Sequence, residues 1–310
     1  MPDILSAVLR ALSFVLQLQA AGAVFFTAAF GPALTISLTG IRALARATAL
    51  AAILAVAAHY ALESARMAGE MSGVFDPSLQ GTAWASTTGA SFAVRILGLL
   101  LIVAGMRAAP GRLGASRFLI SPVSAGRPFT LGRFSARGFT IVGVTGAVLV
   151  AVSFTLTGHT TTNARRWLLA PLLLAHLLIV AFWFGALWPL CLVTLRESRE
   201  RMARVIAVFS AAAVWLVPLI LVAGVAMAAL LLPDISALLQ PYGELLIAKV
   251  VLFAVLLGLA ALNKWRFGPA IEGGDTQAAR GFRRCVVSEY VLIAAVLAVT
   301  AVMTTFFSPE

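Results

Sequence analysis

WLLAPLLLAHLLIVAFWFGALWPLCLVT, residues 167–194, has no charged side chain and a single histidine, His176, and it is framed by Arg165 and Arg166 before and Arg196 after. A helix needs roughly 20 predominantly apolar residues to cross about 30 Å of hydrocarbon, so this run is long enough to span a bilayer by itself. Seven further runs of the same texture lie at about 4–30, 43–68, 86–106, 138–158, 205–232, 243–262 and 285–306. They are rich in Ala, Leu and Val and lack the polar residue at every second position that barrel strands require. The expected fold is all-α: a polytopic membrane protein with eight transmembrane helices.

The composition agrees. Of 310 residues, 61% are hydrophobic and only 11% charged, which lies outside the range of soluble domains. No soluble domain, low-complexity tract or long linker interrupts the pattern. The first run is not expected to be a cleaved signal peptide, because it lacks a basic start and its apolar stretch is too long. The longest connection, about 107–137, holds Pro110, Pro122 and Pro128 and is expected to hug the inner membrane interface.

Basic residues set the orientation. Arg42 and Arg46, then Arg107, Arg112, Arg117, Arg127, Arg133 and Arg137, then Arg196, Arg199, Arg201 and Arg204, and finally Lys264, Arg266, Arg280, Arg283 and Arg284 all fall on one set of connections. Such residues stay in the cytoplasm, so both termini are expected on the outer side of the membrane. The net charge of +11 would suggest nucleic acid in a soluble protein; here it faces anionic lipid headgroups instead.

A duplication is one reading of the order of helices, with halves at 1–158 and 159–310. Advancing the first helix by 157 sets Gln19 on His176, Phe25 on Phe182 and Pro32 on Pro189, and a slightly different offset pairs Arg95 with Lys249. Four helices per half would form a 4+4 parallel repeat. Chance similarity between Leu/Ala/Phe-rich helices explains the match equally well.

Ionisable groups inside a bilayer cost several kcal/mol unless paired or solvated, so each marks a candidate site. These are His59, Arg95, His159, His176, Lys249 and Glu289. His59, Glu63, Met67 and Met71 recur every four residues, a spacing that puts the first three on one helix face as an entry ladder for copper, with imidazole and thioether as ligands. The alternative is a packed histidine followed by an ordinary helix end. His159 ends one helix at Gly158, and His176 lies inside the next, so antiparallel packing would bring the two rings together. Trp183 shares the face of His176 and either supports a metal site or fills the bundle. Cys191 and Cys285 sit near the cytoplasmic ends of their helices, where a disulfide is not expected. They are either inner acceptors for a soft cation or small apolar fillers. No motif for hydrolytic or nucleotide-driven catalysis is present, and no enzyme activity is expected.

Gly158-His159, HLLIVAFWFGALWPL at 176–190, PYGELLIAKVVLF at 241–253, ALNKWRFGP at 261–269 and the helix bearing Glu289 occur in an order that resembles the copper-resistance protein D family of bacterial inner-membrane proteins. The resemblance covers roughly the second half. It implies copper handling, commonly uptake towards the cytoplasm, sometimes beside a periplasmic copper-binding protein. By position it carries His159, His176, Trp183, Lys249, Asn263 and Glu289 into the family's recurring motifs. Lys249 is expected to pair with Glu244 or Glu289. Two other readings stay open: a b-type haem protein with a bis-histidine pair such as His59 and His176, and a non-transporting docking partner of a periplasmic copper carrier. Oligomeric state is open.

Overall fold

The computed structural model describes residues 2–107, 131–158, 163–232 and 234–307, with backbone only for 131–137 and 139. The expected 107–137 loop therefore lies, from 108 to 130, outside the described residues, as does His159. The long helices are α1 (Pro2–Phe30), α2 (Ser37–Ala68), α4 (Thr87–Gly105), α5 (Leu131–Ser153), α6 (Arg166–Arg196), α7 (Arg199–Leu231), α8 (Pro241–Leu262) and α10 (Thr276–Phe306). Two short helices, α3 (Pro77–Ala85) and α9 (Gly268–Glu272), complete the α-helical elements among the described residues. Among the described residues, seven helices are long and apolar enough to cross a membrane, and α5 contributes a shorter apolar helix, Thr140–Leu156.

Several helices begin earlier than their apolar runs. α2, α7 and α10 start six to nine residues before positions 43, 205 and 285, so Arg42, Arg46, Arg199, Arg201, Arg204, Arg280, Arg283 and Arg284 sit on helical turns rather than in loops. Hydropathy marks where a helix enters hydrocarbon. The backbone hydrogen-bond ladder continues past that point because Ala, Arg and Leu are good helix formers. α3 was also unforeseen: Asp76 caps it by accepting from the Ser78 and Leu79 N–H groups.

α1 is the hub, packing against α2, α4, α5, α6 and α10. Its crossing with α6 is a backbone contact, since a Cβ on Gly22 would overlap Ala181 O and Gly185, and one on Gly185 would meet Gly22 and Leu18 O. Small residues permit such approach in membrane bundles. The same place explains a buried amide. Pro189 has no N–H, so the carbonyl of Gly185 loses its partner within α6, and Gln19 Nε2 donates to it at 3.0 Å.

Asp3 at the start of α1 pairs with Arg66 at the end of α2, and Arg10 Nη1 donates to Thr304 O near the end of α10. Both chain ends thus lie at one end of the bundle. At the opposite, arginine-rich end, Glu197 in the α6–α7 turn accepts from the N–H groups of Thr35, Ile36 and Ser37 at 2.8–3.0 Å and from the hydroxyls of Ser37 and Thr35 at 2.6 and 2.9 Å. An acidic side chain from the second half therefore caps α2 of the first, where the orphan N–H groups and helix dipole favour an anion.

Candidate functional site

α6, α7, α8 and α10 enclose a column of polar side chains. Furthest towards the end that holds the chain termini, His176 on α6 reaches α7, its Nδ1 lying 3.2 Å from the carbonyl of Ile220. A carbonyl only accepts, so Nδ1 is the donor and Nε2 keeps a free lone pair. That is how a backbone carbonyl orients a metal-binding imidazole. Gly224 opens the space opposite, lying 3.9 Å from Cε1 when given a Cβ, and Lys249 on α8 is the cation whose field reaches the ring.

About two turns further along α6, roughly 10 Å by helical rise, Trp183 is 4% exposed and sets its ring edge-on to Phe253 of α8, with 6.2 Å between centroids. Trp183 also lines a small cavity of about 40 Å³ with Ser210 of α7, Asn263 and Glu289. Glu289 on α10 is 2% exposed and accepts from Asn263 Nδ2 at 2.6 Å; the Trp183 indole adds a weaker donor contact. Asn263 opens a π-helical turn, Asn263–Phe267, inserted between α8 and α9. π-turns displace a side chain from the regular helical face and are frequent at functional sites.

The remaining expected residues have separate surroundings. His59 Nε2 lies 3.3 Å from the Arg10 Nε–H, which can only donate, and 3.2 Å from Ser6 Oγ. Its lone pair is thus engaged by a cation. The entry ladder is cut where Gly69, at φ 76°, ends α2, leaving Met71 in a 3-10 turn beyond the cap. Met67 and Met71 are each 44% exposed, and Glu63 pairs with Arg66 at 3.3 Å. Arg95 finds no carboxylate among the described residues: its Nε donates to Ser153 Oγ at 2.9 Å, its Nη2 lies 3.3 Å from Ser91 Oγ, and its guanidinium stacks 4.4 Å from the Phe154 ring centre. Lys249 forms no ion pair with Glu244 or Glu289 among the described residues; the partner at Glu289 Oε1 is the Asn263 amide. Cys191 and Cys285 are free and buried; the Cys285 thiol donates to Leu259 O, which ties α10 to α8. Among the described residues, no three His, Cys, Asp or Glu side chains come together in a way that would hold a metal ion.

Two contributors escaped the sequence reading. Arg10 bridges His59 and Thr304, and its signal was a lone arginine within the first apolar run. Glu197 was one of two acids, with Glu200, in an otherwise arginine-rich connection.

Comparisons with known proteins fall on these helices. No solved structure matches the chain. The copper resistance protein D of Pseudomonas syringae pv. tomato is 29% identical over 178 residues, covering 53% of this chain and 57% of that relative. The chain thus spans a little over half the length of the curated relative it matches. A family model described as copper resistance protein D matches residues 203–303, from α7 through most of α10. Through that segment, the chain is similar to the copper resistance protein D family.

Proposed function

We propose that the protein carries copper ions across a bacterial inner membrane, from the side that holds both chain termini to the arginine-rich side. Eight spans, counting α5, with both termini in the periplasm fit the distribution of arginines and the positive-inside rule. The observation that carries the reading is the column itself: a histidine with a free Nε2, then Trp183, then a buried carboxylate, within helices that include the family-matched segment.

Both this route and one through the first half pass a cation, Lys249 bearing on His176 and Arg10 on His59, and this one also holds the buried acid Glu289. A cation near His59 meets Arg10 at 3.3 Å from the ring nitrogen, and Arg95 carries a second charge with no acid beside it among the described residues. In a medium of low dielectric, such neighbours repel copper strongly. Glu289, by contrast, is a buried acid that stabilises a passing cation. His176 is the first imidazole on this route; His159 is its proposed companion, and a periplasmic copper-binding protein is the proposed donor. The role is transport rather than catalysis. A haem held between His59 and His176 would need a free lone pair on His59, which Arg10 occupies.

The test is copper flux into proteoliposomes. H176A and E289Q should each cut the rate at least several-fold while the purified yield stays near wild type. Wild-type flux in both variants would refute the route, and no flux in the wild-type protein would refute transport.

A further inference from the structure

The acid and amide at the centre of the column leave one atom unexplained. Asn263 Nδ2 donates to Glu289 Oε1 at 2.6 Å, yet Asn263 Oδ1 is buried with no hydrogen-bond partner among the described residues. A buried acceptor left unmade costs about 1–3 kcal/mol. Glu289 is 2% exposed and makes no ion pair among the described residues. Of the titratable groups on the helices packed around it, the Cys285 thiol lies one turn earlier on α10; Lys249 and Lys264 on the α8 side, Arg283 on α10 and the arginines of α7 form no ion pair with it among the described residues. An isolated carboxylate in such a place is expensive. One change removes both problems: a proton on the second oxygen of Glu289 makes it neutral and supplies the O–H that Asn263 Oδ1 lacks.

We infer that Glu289 and Asn263 form a proton-binding site, in which protonated Glu289 and the Asn263 amide close a doubly hydrogen-bonded acid–amide ring. The donor set does not favour copper as the resident ion here. Glu289, Asn263 and Ser210 offer oxygen acceptors, whereas copper favours imidazole and sulfur. A cavity of about 40 Å³ also has room for little more than water.

The ring joins α10 to the π-helical turn that ends α8. When the proton leaves for water in the cavity, Glu289 Oε2 becomes a second acceptor facing Asn263 Oδ1, and that half of the junction opens. This step deepens the transport reading and rests on it for its purpose: a cation passing Glu289 displaces the proton, so copper movement one way releases a proton from the site.

Infrared difference spectroscopy on the purified full-length chain tests the site without copper. At neutral pH the wild type should show the C=O stretch of a protonated, hydrogen-bonded carboxylic acid. E289Q should lose that band and fold normally, because two amides can pair as the acid and amide do. E289D serves as a second carrier of the band, and N263L should move it towards the position of a free acid. A neutral-pH spectrum with no such band, or a band that N263L leaves in place, overturns the proposal; the second result means that water alone satisfies the acid. If the band behaves as expected while proteoliposomes show no copper flux, the proton site stands and the transport reading fails.

Discussion

Removing the carboxylate of Glu197 should unfasten the two halves at their arginine-rich end. Five hydrogen bonds converge on this group, three from backbone N–H groups of Thr35, Ile36 and Ser37 that the start of α2 cannot satisfy by itself. Arg201 Nη1 steadies the arrangement from α7, donating to Thr35 Oγ1 at 3.0 Å. Loss of an ordinary helix cap costs about 1 kcal/mol, and bonds to a charged group are worth about 1.5–3 kcal/mol each, partly recovered here when water enters. Glu197→Ala is therefore expected to cost about 3 kcal/mol, lowering the thermal midpoint by about 6–12 °C. Glu197→Gln keeps one acceptor oxygen and should lose roughly half of that.

The pH dependence follows from the same contacts. Loss of water works against the charge, but the hydroxyls and N–H groups of Ser37 and Thr35 outweigh it and bring the carboxyl from its ordinary 4.5 down to about 2. A depressed carboxyl contributes its stability above the unfolded value and loses it as pH falls through the folded one. The gap between wild type and E197A should thus be full at pH 7 and shrink between about 4.5 and about 2. Thermal unfolding of purified protein followed by intrinsic fluorescence measures it. A midpoint for E197A within about 1 °C of wild type at pH 7, or a gap that widens in acid, would refute the reasoning.

Other expectations are as direct. H59A should leave copper flux near wild type while lowering the thermal midpoint, in contrast to H176A; equal loss of flux in both would return the route to the first half. Gln19→Leu should cost about 1–3 kcal/mol by stranding the Gly185 carbonyl below Pro189, read as a lower midpoint. Gly22→Leu should abolish recovery of folded protein, because the new side chain must displace the α6 backbone rather than a mobile neighbour; normal yield and stability would mean that α1 and α6 do not cross there.

Much of the fold was legible because a bilayer imposes one strong rule: backbone polar groups must be satisfied within each apolar run. Seven of the runs reappear among the described residues as helices long enough to span and the eighth as a shorter apolar helix, and most of the described arginines lie towards one end. What hydropathy could not locate is where helices extend beyond hydrocarbon, as α10 does for a stretch that begins at Thr276. The site was legible as residues and not as contacts. Trp183, Asn263 and Glu289 were each singled out, yet their meeting depends on α6, the π-turn and α10 converging from positions 183, 263 and 289. Spacing within a single helix shows rows and not their ends or partners. His59, Glu63 and Met67 lie together on α2, but Gly69 ends that helix before Met71, and Arg10 from α1 reaches the His59 ring.

The contact between Gly22 and Gly185 limits how such a bundle can move. With no side chains between them, the two backbones have no cushion to compress and no rotamers to exchange, so α1 and α6 behave as a single axle at this depth. α8, whose apolar face is largely uncovered and which leans mainly on α10, is free of that constraint. In a transport cycle of the kind proposed, α8 and its π-turn, with Glu289 at their edge, are the parts least held by the α1–α6 crossing.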